Sequence, residues 1–204
     1  YARMDEVQND ISLYRESALN SILPLIRVAE VMAQHYDVVV TNPPYRGIND
    51  VEVKLQNFVK EKYPSSCSDL STVFMEKCSY LTKKSGYYSM INIPVWMSLA
   101  SYADLRAKML NNENIVNMLH LGRGMFGSDY GTTAFVISSR NVDDYKGLYR
   151  KFFEKQGAVE PEETKRKKFF IGTKDYITNQ SLYSLLPNKI IAYWVTQSFA
   201  EAFE

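Results

Sequence analysis

The run Asp37-Val38-Val39-Val40-Thr41 leads without a break into Asn42-Pro43-Pro44-Tyr45. A short, nearly continuous apolar stretch rich in β-branched side chains is the pattern of a strand buried on both faces, as in a parallel sheet. Two successive prolines cannot donate to a strand ladder, so the strand must stop at Asn42. In open α/β sheets, ligands sit beyond the carboxyl ends of the strands. The turn therefore occupies the position where such a fold does its work, and its prolines hold their neighbours still. Asn42 offers an amide oxygen, Pro43 a carbonyl and Tyr45 a flat ring. Two acceptors and a stacking face suit a planar amine, such as the exocyclic NH2 of a base or a side-chain amide.

The flanking sequence supplies the rest of an α/β alternation. Ile11, Tyr14, Ala18, Ile22, Leu25, Ile26 and Val28 recur at three- and four-residue steps, which predicts helix over 1–34, kinked or split at Pro24. Helices are predicted over 51–62 and 69–83. The second is capped by Ser68 or Asp69, carries Lys83 and Lys84 in its last turn and stops at Gly86. Strands follow at Tyr87–Ile93, Asn114–Leu121 and Thr132–Ser138, with a helix over 101–111 and a Gly-rich loop, Gly122 to Gly131. Helical crossovers between the earlier strands argue for a parallel sheet. The last two strands lack a helix between them and should pair antiparallel at one edge. After about residue 145 the character changes. Lys146 to Lys168 holds eight Lys/Arg against four Glu, and an α-rich extension is expected from there to residue 204.

Composition excludes several classes. In 204 residues, 46% are hydrophobic and 23% charged, with 24 Lys+Arg against 23 Asp+Glu. That is ordinary globular usage and not that of a disordered, collagen-like or uniformly basic chain. Tyr (15) and Phe (10) are abundant, and Tyr suits surfaces that stack on flat ligands. Cys67 and Cys78 form neither a disulfide framework nor a zinc clip, and His35 and His120 stand alone, so no metal site is expected. No apolar run reaches the roughly 20 residues of a membrane span, and no signal peptide is evident. The chain starts at Tyr1, not Met, which reads as an excised or processed piece. The cytoplasm is the expected compartment.

Asp37 to Tyr45 resembles the catalytic motif of amino-methyltransferases that use S-adenosylmethionine, among them the N6-adenine DNA methyltransferases. The likeness is nearest to the large adenine-specific methyltransferases of BREX phage-defence systems and to type IIG restriction–modification enzymes. Supporting stretches are Asp69 to Lys77, Gly86 leading into its strand, and Phe126-Gly127 followed by Gly131 to Ile137. The resemblance covers roughly residues 30–140 and, more weakly, Leu186 to Trp194. It implies an α/β, Rossmann-like methyltransferase fold, S-adenosylmethionine as cofactor and double-stranded DNA as partner, without metal or membrane and with defence-system proteins as further partners. It implies that Asn42 and the Pro43 carbonyl hold the adenine N6 amine, that Pro44 stiffens the turn and that Tyr45 stacks on the flipped base. Arg46, Arg123, Lys165, Arg166, Lys167 and Lys168 are expected phosphate contacts.

In such enzymes a Gly-rich cofactor loop follows the first strand, upstream of the Asn-Pro-Pro-Tyr turn, yet residues 1–36 contain no glycine. The expectation is an incomplete domain holding the second half of the sheet. Residues 1–34 would be a helical lead-in, 35–145 the catalytic half, and 146–204 a basic linker and the start of a target-recognition region. Gly122-Arg123-Gly124-Met125-Phe126-Gly127 matches G-x-G-x-x-G after a strand, but only Ser128 to Thr133 separate it from the next strand, too few for the required helix. Two alternatives stand beside the DNA enzyme. One is a methyltransferase acting on protein glutamine or RNA, the other a non-catalytic α/β module that grips DNA.

Overall fold

A computed structural model describes residues 6, 8, 9, 11, 14–125, 130–155, 157–172 and 175–203. They divide into two units, residues 1–35 and 36–204. The first holds helix α1 (Arg15–Ala33), which continues through Pro24 instead of splitting there.

In the second unit six strands form one mixed sheet. They are β1 (Tyr36–Thr41), β2 (Thr82–Asn92), β3 (Asn114–Gly122), β4 (Thr132–Ser138), β5 (Lys146–Lys151) and β6 (Asp175–Asn179). Their spatial order is β1-β2-β4-β3-β5-β6. β1 and β2 run parallel, as do β3 and β5, while β4 is antiparallel to both β2 and β3. The expected β3–β4 pair forms, but not at an edge. β4 lies inside the sheet, where Phe135 and Ile137 are 1% and 0% exposed. Central placement buries these two side chains in a way an edge could not.

Helices α2 (Val53–Lys62), α3 (Leu70–Leu81) and α4 (Ala103–Asn112) fill the connections. Asp69 caps α3 by accepting from the Ser71 amide at 2.8 Å. α3 ends earlier than the sequence pattern predicts, because β2 begins at Thr82. Lys83 therefore lies in the strand and pairs with Asp37 at 2.8 Å. Gly86 also lies within β2, where a Cβ would stand 2.5 Å from the Asp37 carbonyl oxygen. Its glycine lets β1 approach β2 rather than stopping a helix.

Residues beyond 145 depart most from expectation. β5 and β6 extend the same sheet, so no packing break falls at 145/146. The predicted α-rich extension is instead these strands plus α5 (Glu162–Ile171), α6 (Leu182–Leu185) and α7 (Gln197–Glu201). Tyr149 of β5 is fully buried and stacks on Tyr193, ring centroids 4.9 Å apart and planes nearly parallel. Alternate burial along β5 was hidden by the lysines on its other positions.

The two faces of the sheet differ sharply. On one, Tyr88, Met90, Met118, Phe135, Ile137 and Tyr149 are at most 1% exposed, in a core shared with Met75 and Cys78 of α3, Leu105 and Met109 of α4, and Tyr183 and Ile191 near the C-terminus. On the other, Val38 and Val40 are 60% and 70% exposed, and Leu148 and Ile177, paired across β5 and β6, are 41% and 70%. β1 was expected to be buried on both faces. It is an edge strand, since no further strand pairs with it among the described residues, and one of its faces, carrying Val38 and Val40, is open.

Buried Arg106 ties the segment after β2 to the C-terminal region. Its guanidinium donates to the carbonyls of Trp96 (2.8 Å), Leu99 (2.9 Å) and Asn188 (2.8 and 2.9 Å). Cys78 is a buried thiol with its pKa pushed up to about 11 by desolvation, and Cys67 is half-buried; both are free.

Candidate active site

Strand β1 delivers Asn42-Pro43-Pro44-Tyr45 to the carboxyl end of the sheet, beside the end of β2. Pro43 is buried, Asn42 and Pro44 are exposed, and Tyr45 is half-buried. The Tyr45 hydroxyl lies 2.9 Å from Asn42 Oδ1 and 3.1 Å from the Ile91 carbonyl of β2. Partial burial raises the Tyr45 pKa, so the hydroxyl keeps its proton. The turn folds locally because the Pro-Pro pair takes φ from the chain's freedom and has no N–H to satisfy.

The chain leaving the turn is pinned as firmly as the strand entering it. The Leu70 amide donates to the Arg46 carbonyl at 2.9 Å and the Ile48 amide to the Ser68 carbonyl at 3.0 Å. Gly47 and Asp69 form an antiparallel bridge. Below the turn, Asn92 is fully buried. Its Nδ2 donates to the Ser71 carbonyl (3.2 Å), and its Oδ1 accepts from the Ile93 amide (2.7 Å). Its own carbonyl accepts from Thr133 Oγ1 (3.1 Å). These contacts fix the end of β2, and with it the Ile91 carbonyl that faces Tyr45. The sequence reading passed over Asn92; the signal was a buried-strand pattern ending in Asn just before Ile93-Pro94.

A hollow of about 180 Å³ opens beside the turn, lined by Tyr45, Arg46, Gly47, Asp50, Asp69, Ile93 and Tyr130. Asp50 comes from the short turn Ile48–Asp50, Asp69 from the cap of α3 and Ile93 from the end of β2; motif reasoning notes Asp69 only as a cap and passes over the other two. The hollow is smaller than the roughly 300–1,000 Å³ of small-molecule sites. Gly122 and Gly124 have φ of +69° and +78°, but the next element described after them is β4, not a helix. The remainder of that motif, Phe126 and Gly127, lies outside the described residues.

The expected phosphate contacts are dispersed. Arg46 is exposed and lines the hollow. Arg123 is not part of it; its Nη1 donates to the Gly157 carbonyl at 3.0 Å. Lys165 is 6% exposed and donates to the Arg123 carbonyl. Lys168 bonds Glu154 at 2.6 Å, which holds the Glu154 carboxyl below its ordinary pKa. Arg166 and Lys167 face solvent on α5, Lys167 at 3.8 Å from Glu163. Within the basic run Lys165 is thus buried, Lys168 is half-buried, and Arg166 and Lys167 are exposed.

Residues 3–126 match the family described as Eco57I restriction-modification methylase. The chain belongs to that family. Consistent with this, it is 34% identical over 203 residues to the adenine-specific methyltransferase BrxX of Escherichia coli O9:H4 (strain HS), a match covering 97% of this chain and 16% of that protein. It is 34% identical over 190 residues to the adenine-specific methyltransferase PglX of Lacticaseibacillus casei (strain Zhang), covering 88% of this chain and 15% of the relative. The chain thus spans about one-sixth of the length of these relatives. Among solved structures, the DrdV–DNA complex superposes with TM-score 0.59 at 15% identity, over 85% of this chain and 20% of that one. A nuclease-deletion mutant of the Type ISP restriction-modification enzyme LlaGI, in complex with a DNA substrate mimic, gives 0.58 at 15% identity, over 97% and 21%. At such identity these likenesses establish the fold, a Rossmann-like α/β sheet.

Proposed function

We propose that this chain carries the base-holding turn of an S-adenosylmethionine-dependent DNA methyltransferase that modifies adenine at N6, in restriction–modification or phage defence. The observation that carries the reading is the placement of Asn42 Oδ1, exposed, and Tyr45 together at the carboxyl end of β1. The names of both relatives, each an adenine-specific methyltransferase, support the same substrate over protein glutamine or RNA. Family membership supports an enzyme over a binding module.

The lone pair of an adenine N6 amine is delocalised into the ring and is a poor nucleophile. Hydrogen bonds from that amine to Asn42 Oδ1 and the Pro43 carbonyl favour a pyramidal nitrogen. They also stabilise the positive charge that grows on it during alkylation, the kind of preorganised electrostatics that dominates catalysis. Extruding a base costs a few kcal/mol. Stacking on the Tyr45 ring returns roughly 1–3 kcal/mol. The hollow beside the turn gives the flipped ring's edge a place to enter. Of the expected phosphate contacts, Arg46, Arg166 and Lys167 are the solvent-exposed ones, so binding should weaken as salt rises.

We assign the methyl donor's loop and target recognition to parts of the intact enzyme outside these 204 residues. The small hollow and the roughly one-sixth coverage of the relatives support that assignment. The open face of the sheet, with Val38, Val40 and Ile177, is the surface those parts would cover. Among the described residues no helix is long and apolar enough to cross a membrane, and we place the enzyme in the cytoplasm with its DNA. The test is to incubate the intact enzyme with unmethylated genomic DNA and labelled S-adenosylmethionine, then digest the DNA to nucleosides. Label in N6-methyl-2′-deoxyadenosine is expected. Label in protein or RNA instead, or DNA binding without any transfer, contradicts the proposal.

A further inference from the structure

We propose that Lys165 is a positioning residue of the base site: it anchors the root of the Gly-rich loop that brings Tyr130 to the hollow, and it does not contact phosphate. The inference rests on the reading of the turn as the base-holding site. A lysine in a basic run belongs by default in water. Lys165 is 6% exposed, and its ammonium donates to the Arg123 carbonyl at the start of that loop. So deeply covered, the ammonium is out of a duplex's reach, and its hydrogen bond is spent on the protein's own backbone.

The same root is held at further points. Arg123 turns its Nη1 onto the Gly157 carbonyl at 3.0 Å. Gly122 and Gly124 have φ of +69° and +78°. A Cβ at Gly122 would stand 2.7 Å from the Phe153 ring, and one at Gly124 would stand 2.7 Å from Val159 Cγ1. Glycine serves here both the left-handed backbone and the close approach. Phe153 and Val159 belong to the segment between β5 and α5, so α5 and its lead-in are the seat of the loop root. That seat is itself tied to β3, the Phe152 amide donating to the His120 carbonyl at 3.0 Å. Where the loop returns, Tyr130 lines the hollow together with Tyr45 and Ile93. Gly131 alone separates Tyr130 from β4. Glycine restrains a chain less than any other residue. The place of Tyr130 therefore depends on how the root is seated as well as on β4.

Lys165→Met keeps the stem and removes the ammonium. In the intact enzyme, acting on unmethylated genomic DNA, KM for DNA should rise about three- to tenfold, a fraction of what one base–aromatic contact is worth. The slope of log KM against log salt should stay at the wild-type value, because no phosphate contact is lost. Gly124→Ala unseats the same root without touching a charge and should give the same pair of results. In a Tyr130→Ala background, Lys165→Met should cost nothing further. A slope shallower by about one in Lys165→Met marks a phosphate contact and overturns the inference. So does a wild-type KM in Lys165→Met or in Gly124→Ala, or an undiminished loss from Lys165→Met in the Tyr130→Ala background. Should Lys165→Met not fold, Gly124→Ala alone and combined with Tyr130→Ala carries the same test. If the wild-type enzyme makes no N6-methyladenine, the functional reading itself fails; if it does and Lys165→Met matches it, only this inference fails.

Discussion

Two tyrosine hydroxyls near strand β2 each meet a side-chain oxygen, at opposite ends of the sheet, with opposite consequences. Tyr45 meets Asn42 Oδ1 at 2.9 Å where the chain is open to solvent. Tyr88 meets Glu113 Oε2 at 2.7 Å, and Ser79 donates to the other carboxylate oxygen. Glu113 is 6% and Tyr88 1% exposed. Each carboxylate oxygen of Glu113 accepts a hydrogen bond inside the protein, and the carboxylate links β2, α3 and the start of β3. It is a strut. Asn42 keeps an exposed acceptor beside a hollow and a half-buried ring. The difference that marks a site is hydrogen-bonding capacity left unspent at a rigid, accessible position, not polarity or burial alone.

That contrast can be broken most forcefully at Asn42. Asn42→Ala should lower methyl transfer by the intact enzyme about 10²–10³-fold, the scale of losing a preorganised polar group at a transition state. Its thermal unfolding midpoint should match wild type. At the strut the pattern inverts. Glu113→Ala orphans the buried hydroxyl of Tyr88 and the half-buried one of Ser79 and should cost about 2–3 kcal/mol in urea unfolding, with transfer per folded molecule unchanged. Tyr45→Ala should weaken base capture by roughly 1–3 kcal/mol, read as a raised KM for DNA, whereas Tyr88→Phe should leave that KM alone.

A smaller effect sharpens the comparison through pH. Desolvation raises the Glu113 carboxyl above its ordinary 4.5, against the opposing pull of the Ser79 and Tyr88 hydrogen bonds. A raised folded-state value means the fold binds the proton more tightly than the unfolded chain does. The stability it contributes is present below 4.5 and is lost as pH rises through the folded value. Glu113→Gln removes that dependence, so the variant should gain on wild type in going from pH 4.5 to 7. Urea midpoints of both proteins at the two pH values check the sign.

What could be seen in the sequence follows the same physics. The turn was legible because two prolines after a β-branched run admit few structures and leave Asn42 and Tyr45 at a strand's end. The parallel β1–β2 pair was legible from its crossover helices. The open face of β1 was not, because Val38-Val39-Val40 reads the same whether or not a layer packs on its second face. β5 was obscured by Lys146, Arg150 and Lys151, whose charges hid the alternation that buries Tyr149. Lys165 read as a surface charge, yet a long stem let its ammonium reach the Arg123 carbonyl. The role of Asn92 depends on Ser71 and Thr133, contacts that spacing along the chain does not reveal.

The most direct measurement is a structure of the intact enzyme bound to duplex DNA containing its target site. The account predicts an adenine turned out of the duplex, its N6 about 3 Å from Asn42 Oδ1, its ring against Tyr45, and the Glu113–Tyr88 strut unchanged. An extruded base whose amine is held by other residues, with Asn42 and Tyr45 away from it, would contradict the account.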